Sequence, residues 1–358
     1  MYERLIRPLF FRLEPEQAHG VTLGLLTVGG PIGGVLLRAV YGYAHPTLTT
    51  HAFGLTFSNP VGLAAGYDKN GQAVSGLAGL GFGHLELGTV TVQPQAGNPQ
   101  PRIFRLPENQ ALINRMGFPN GGLKRFLQRM PRTARLPLGV NIGKGKDTPL
   151  GQAYLDYVQL LMAVYERADY IAINISSPNT LNLRQLQARH FLNDLIGRIM
   201  AARDRQAKSA SVQRPVLVKI APDLTWAEID DVLAVCQQHG VDGVIATNTT
   251  IMRPGINGPY RREAGGLSGA PLRAHSTEVV RYIYQRMGPT LPIVGVGGVD
   301  SAEAALEKIR AGAVLVQLYT GMIYRGPGLV QEINRGLAAE CMRVGVRSIG
   351  ELVGSDAR

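Results

Sequence analysis

From about residue 46 onward, short continuous apolar runs alternate with longer stretches in which apolar positions recur every three or four residues. The runs fall at 61–65, 85–90, 138–142, 170–175, 216–220, 243–247, 293–296 and 314–318. Each has the length of a strand, and unbroken apolarity is what a parallel sheet covered on both faces requires. Helical periodicity lies between them, at 72–80, 122–130, 151–167, 191–207, 226–239, 272–287 and 302–311, with a last helix at 329–344. Eight such alternations predict an α/β fold, a (β/α)8 TIM barrel; a doubly wound sheet is the alternative. A hairpin over 48–57 is placed to plug the barrel bottom. The loops 93–115 and 253–268 are long enough to be functional.

The first 45 residues follow another pattern and predict a small N-terminal helical extension. Between Glu16 and Arg38 lie 21 residues without a formal charge, a length that raises the question of a membrane span. Only ten of them are strongly apolar or Ala, six are Gly, and Pro31 interrupts the second half, so a continuous lipid-facing helix is not available. A signal peptide fits no better, because Glu3, Glu14 and Glu16 break the basic start that one needs. What remains is a pair of short amphipathic helices, one over 2–11 and one beginning at Glu14-Pro15-Glu16, where proline and acids suit a first turn. Leu5, Ile6, Leu9, Phe10 and Leu13 share one face; Val21, Leu25 and Val28 share another. Such a pair is either a helical cap packed on the larger domain or a monotopic patch in a membrane interface.

Composition narrows the class. The chain has 358 residues, 45% hydrophobic and 18% charged, which permits a sizeable core and argues against disorder. Its 44 glycines show no triplet period and serve many tight loops. Two cysteines, Cys236 and Cys341, build no disulfide framework and suit a reducing compartment. The net charge of +11 invites nucleic acid, yet it is concentrated: residues 102–146 hold ten Lys or Arg against one acid, Glu108. Residues 1–45 hold four Arg and three Glu. The charge therefore reads as a local field for an anionic ligand and for lipid head groups, and no nucleic acid is expected.

In a barrel of this kind the active site lies at the C-terminal ends of the strands. Gly297-Gly298 and Thr320-Gly321 follow the last two strands, where many barrels bind a phosphate through backbone N–H groups, and Ser268-Gly269 before the next helix adds to that reading. Lys219 ends an apolar strand and points either into the site or out of it. If inward, its ammonium needs an anion, which a phosphorylated cofactor with an electron-rich ring would supply. Asn114, Asn141, Asn174, Asn179 and Asn248 gather at one rim, and amides offer donors and acceptors to a planar imide-like ligand. The seven histidines lack H-x-x-x-H spacing, so no metal is expected, and no G-x-S-x-G elbow or P-loop is present.

Taken in order, the motifs Ala64-Ala65-Gly66-x-Asp68-Lys69, Glu86-Leu87-Gly88-Thr89-Val90-Thr91, Asn114-Arg115-Met116-Gly117-Phe118, Asn174-Ile175-Ser176-Ser177-Pro178-Asn179-Thr180, Thr247-Asn248-Thr249-Thr250, Gly265-Gly266-Leu267-Ser268-Gly269 and Gly295-Val296-Gly297-Gly298-Val299 resemble the dihydroorotate dehydrogenases over most of the chain. The N-terminal extension, and Ser177 where soluble relatives carry cysteine, resemble that family's membrane-associated, quinone-reducing class. The resemblance implies FMN as cofactor. Ala65, Gly66, Tyr67, Asp68, Lys69, Thr89, Asn141, Asn174, Lys219 and Thr247 would surround the flavin, with Gly269, Gly298, Tyr319 and Thr320 at its phosphate end. It implies that Lys69, Asn114, Arg115, Met116, Gly117, Phe118, Asn174, Asn179, Asn248 and Thr249 grip dihydroorotate, with Ser177 as the base. His19, Arg105 and Tyr319 would border a quinone tunnel. Residues 1–45 would then form a membrane and tunnel segment and 46–358 the FMN-binding barrel. Orotate is the expected product, in pyrimidine biosynthesis, with electrons passed to a membrane quinone at the cytoplasmic face of the cell inner membrane, where the protein is held peripherally. A soluble fumarate- or NAD-linked relative and a basic nucleic-acid binder are the alternatives; the first lacks the extension, and the second binds no flavin.

Overall fold

The computed structural model describes residues 2–357. Eight strands close a parallel barrel: β1 (Val61–Leu63), β2 (His84–Val90), β3 (Leu138–Ile142), β4 (Tyr170–Asn174), β5 (Val216–Ile220), β6 (Gly243–Ala246), β7 (Ile293–Val296) and β8 (Ala313–Leu318). Each pairs with its successor, and β8 returns to β1 through Val316 opposite Val61. Every residue of β2, β3, β4 and β5 is buried, which accounts for the unbroken apolar runs. Helix signals hold too: Thr225 and Glu228 form a reciprocal capping box at the head of Trp226–His239, and Gly240 ends that helix at φ 65°.

Glycines in the strands make room for rings inside the barrel. A Cβ at Gly62 would stand 2.0 Å from His84 Nε2, and one at Gly139 would stand 2.0 Å from the Tyr170 ring. Phe57, from the Thr50–Ala52/Leu55–Phe57 hairpin, closes the stack from below, 5.4 Å from the His84 ring. The hairpin is thus the predicted plug. The loops 93–115 and 253–268 are less irregular than their sequence suggests. They contribute Ile103–Leu106, Ala111–Asn114 and Gly266–Gly269 to a separate antiparallel sheet of three strands.

The N-terminal segment holds one helix more than the pair predicted. Residues 2–10 form a π turn running into a short α-helix, and Pro15–Thr27 and Gly30–Tyr41 are two further helices bent by 98° at their junction. The glycines read as helix breakers are packing contacts. A Cβ at Gly34 would lie 2.4 Å from Ser75 O, one at Gly79 2.5 Å from Gly34 O, and one at Gly76 2.1 Å from Leu26 O. The two helices therefore sit backbone-to-backbone on the short Val74–Gly79 helix, which packs against β2. No single described helix is long and apolar enough to cross a membrane.

Candidate active site

A cavity opens at the C-terminal ends of the barrel strands. Ala64 to Gly66 and Lys69 follow β1, Thr89 lies near the end of β2, Asn174 and Ser177 come from β4 and its loop, and Lys219 comes from β5. Thr247 to Thr249 follow β6, Gly297 and Gly298 follow β7, and Tyr319 to Gly321 follow β8. The three-stranded sheet forms another wall through Ile103, Leu112, Asn114, Ser268 and Gly269. The rigid barrel thus aims side chains from many strand ends at one volume.

Three of the asparagines, Asn141, Asn174 and Asn248, form a connected amide network, and Asn114 and Asn179 form a separate pair. Asn141 Oδ1 accepts from Thr89 Oγ1 at 2.6 Å and from Asn174 Nδ2 at 3.1 Å. Asn248 Nδ2 donates to Ser176 Oγ at 3.0 Å and to Asn174 Oδ1 at 3.4 Å; Asn179 Nδ2 donates to Asn114 Oδ1 at 3.2 Å. Such bonds fix the rotamers before any ligand arrives. Ser177 is buried, and its Oγ accepts from the Asn179 backbone N–H at 3.2 Å. Three residues on, Thr180 Oγ1 is buried without a partner among the described residues, a place suited to an ordered water. Lys69 Nζ donates to Gly66 O at 2.6 Å, and burial pulls its ammonium down to about 8. Lys219 points inward, its Nζ 3.5 Å from Glu86 Oε1. The buried ammonium therefore has an anion supplied by the protein itself.

A second cavity lies between the N-terminal helices and the barrel, with mostly apolar walls that include Phe10, Ala18, Leu25, Leu37, Met322 and Pro327. Ile103, Leu112 and Tyr319 line both cavities, so the two share a wall. From that wall a chain of rings leads outward: Tyr319 to Tyr67 at 5.6 Å, then Tyr67 to His19 at 5.0 Å, both edge-on. His19 is held neutral down to about pH 3, by burial first and by the nearby Lys69 charge. Arg105 reaches this cavity while donating to the carbonyls of Phe10 and Leu13, which ties the first helical turn to the sheet. Glu16 accepts from Arg102 at 2.5 Å, and that guanidinium keeps the carboxyl below its usual range.

Residues 47–341 match the sequence profile of the family described as dihydroorotate dehydrogenase. The chain belongs to the dihydroorotate dehydrogenase family. The "Dihydroorotate dehydrogenase (quinone)" of Brucella ovis is 48% identical over 362 residues, covering 100% of this chain and 97% of that protein. That of Brucella anthropi is 47% identical over 368 residues, again covering 100% and 97%. Among solved structures, the crystal structure of DHODH from Eimeria tenella in complex with ferulenol superposes with a TM-score of 0.87 at 37% identity, over 96% of each chain. The ligand-free form gives 0.86 at 38%, over 96% of this chain and 99% of that one.

Proteins of the dihydroorotate dehydrogenase family are FMN flavoproteins, and the cavity fits that group. A flavin edge carries both donors and acceptors, and the wall offers matching amides, a threonine hydroxyl and the Lys219 ammonium. Gln317 Oε1 is buried beside the cavity without a partner among the described residues. At the far end the backbone comes close: Gly269 and Gly298 have φ of 98° and 70°, and a Cβ at Gly298 would stand 2.5 Å from Arg273 Cβ. Ser268 Oγ and Thr320 Oγ1, 2.9 Å apart, give two hydroxyls for a phosphate.

Not every residue expected at the site faces it. The Asp68 carboxylate is engaged by the backbone amides of Asn70, Gln72 and Ala73, so it caps the loop after β1. Asn141 is fully buried behind Thr89 and Asn174; Tyr67 faces the second cavity. Arg115 pairs with Glu263 and covers the Phe104 ring, which turns it away from the cavity that Asn114 and Met116 line. Two residues at the site are given no role by the sequence, Glu86, which appears there only as part of a motif, and Gln317, because each sits inside an apolar strand and meets its partners only when the barrel closes.

Proposed function

We propose that this chain oxidises dihydroorotate to orotate with bound FMN and passes the electrons to a quinone, as a step of pyrimidine biosynthesis. The observation that carries the reading is the pair of cavities, one polar and one apolar, joined by a wall that contains Tyr319. When bound, FMN would supply the hydride-accepting and two-electron chemistry that links dihydroorotate to a quinone. Lys69 meets the substrate carboxylate with its positive charge, and the Asn114, Asn179 and Asn248 amides hold the ring imide. Met116, Gly117 and Phe118, in the loop after the Ala111–Asn114 strand, line the cavity and shield that ring from water. Ser177 removes the C5 proton. Its Oγ already accepts from the Asn179 N–H, which leaves a lone pair for the substrate and supports this role. A hydroxyl is a weak base unless its own proton can leave, and the unpartnered Thr180 hydroxyl supports an exit by way of water. Lys219 offsets the negative charge that collects on the cofactor's pyrimidine edge. His19, Arg105, Tyr67 and Tyr319 border the quinone's path.

The protein attaches peripherally to the cytoplasmic face of the inner membrane through residues 1–45, and residues 46–358 work as the catalytic unit. Half of the exposed large apolar side chains among the described residues lie in this short segment, with Val28 at 73% and Ile32 at 74% exposure. The helix face predicted as one stripe divides: Leu5, Leu9 and Leu13 point to solvent, while Ile6 and Phe10 line the apolar cavity. That division supports a surface that seats in lipid and opens inward for an apolar electron acceptor. The test is anaerobic: purified protein should be yellow, bleach on dihydroorotate and recover colour on adding a quinone. A colourless protein that takes up no FMN sinks the reading.

A further inference from the structure

Strand β2 carries Glu86 within the run Leu85-Glu86-Leu87, and this side chain is buried inside the barrel. Its Oε1 accepts from Asn141 Nδ2 at 2.8 Å and from Lys219 Nζ at 3.5 Å. Its Oε2 accepts from Gln317 Nε2 at 2.8 Å and from the Tyr170 hydroxyl at 3.4 Å. The partners come from β3, β5, β8 and β4 in turn, and all present donors, so the group is held as an acceptor-only carboxylate. Its ionic partner is Lys219, which lines the active-site cavity while Glu86 stands behind it.

The titratable groups facing this pair are Tyr170 from β4, against Oε2, and His84 from β2, which meets Gln317 Nε2 at 3.5 Å. Both are kept neutral by burial, which pushes the Tyr170 phenol far up and the His84 imidazole down to about 3. Lys69 lines the same cavity from the loop after β1. The charge at the cavity floor is thus an ion pair with two neutral neighbours. Without a counter-charge, an ammonium this deeply buried sheds its proton easily.

We propose that Glu86 is a positioning residue that aims the Lys219 ammonium at the cavity and keeps it protonated in both redox states of the enzyme. The inference rests on the FMN reading above and extends it to a residue that does not line the cofactor's cavity. With Lys219 locked, reduction changes the charge on the bound ring while no proton moves at the lysine. Every proton taken up with the electrons then belongs to the ring and the substrate.

Spectroelectrochemical titration of the FMN-loaded enzyme at several pH values counts the protons taken up per electron pair. Glu86→Gln should raise that count by up to one over part of the pH range, because Lys219 then starts neutral and gains a proton as the ring turns negative. Glu86→Asp, which keeps the charge, should restore the native count. A Glu86→Gln enzyme that holds FMN and shows the native count overturns the proposal. If Glu86→Gln does not fold or hold FMN, Glu86→Asp decides, since it keeps the buried carboxylate and its charge. A Glu86→Asp enzyme that holds FMN and shows the native proton count supports the proposal. One that is as damaged as Glu86→Gln, or that holds FMN with an altered count, overturns it, because charge at this place is then not what the site requires. Wild-type protein that binds no FMN is a separate failure, that of the functional reading.

Discussion

The two cavities on either side of Tyr319 are built by opposite means. The barrel-mouth cavity is made of short polar side chains from strand ends, each tied by hydrogen bonds to a neighbour from another strand. The second cavity is made of apolar side chains from short helices whose outer faces are exposed. Polar recognition demands fixed direction, so it needs the rigid barrel; an apolar ligand asks mainly for exclusion of water. The comparison teaches that the two halves of the proposed reaction are separable by mutation.

The largest separation should come from Ser177→Ala. Losing a general base costs roughly 10²- to 10⁴-fold, so reduction of the flavin by dihydroorotate should fall by that much in stopped flow. Reoxidation by quinone should stay within about twofold; a matching loss in both steps would undo the division of labour between the cavities. The converse is Ala18→Trp, which overfills the apolar cavity. Overpacking by about 1–3 kcal/mol predicts quinone reoxidation slowed on the order of ten- to a hundredfold with flavin reduction unaltered.

A smaller effect follows from acid–base chemistry. Lys69 is charged below about pH 8 and neutral above it, so its attraction for a carboxylate is present at low pH and lost as pH rises. The KM for dihydroorotate should climb above that pH, by about tenfold per unit at most. The KM for quinone should stay flat, because His19 is neutral at every pH above about 3. Equal pH profiles for the two substrates would contradict the assignment of Lys69. Smallest of all is salt. Raising ionic strength from about 0.1 M to 1 M shortens the screening length from about 10 Å to about 3 Å and should raise KM for the anionic substrate a few-fold. Liposome binding should weaken as well and keep only its apolar part, since residues 1–45 carry four Arg against three Glu and the attraction for lipid head groups rests on the basic run at 102–146.

The same contrast explains what the sequence disclosed. The runs at 138–142, 216–220 and 293–296 coincide with β3, β5 and β7, because a strand buried on both faces is mostly apolar and admits a polar residue such as Asn141 or Lys219 only where the site supplies it a partner. The asparagine rim was legible because each amide adjoins a strand end. The Gly30–Tyr41 helix was not, since Gly33 and Gly34 carry the signature of a loop and only the partner helix reveals Gly34 as a close contact. The role of Glu86 was hidden for a related reason: its meaning depends on Lys219, 133 positions away. The apolar cavity was the least legible of all, because any sufficiently greasy residue serves there.

Tyr319 has a consequence for how the protein meets drugs and substrates. Because one ring, with Ile103 and Leu112, is the common partition, the function proposed above would have the two reactants enter by different doors and never share a room. Initial-rate plots against both should be parallel lines, the mark of a catalyst that releases its first product before engaging its second reactant. A greasy molecule lodged behind the partition would halt turnover without competing for the pyrimidine's place, and no rise in dihydroorotate would dislodge it.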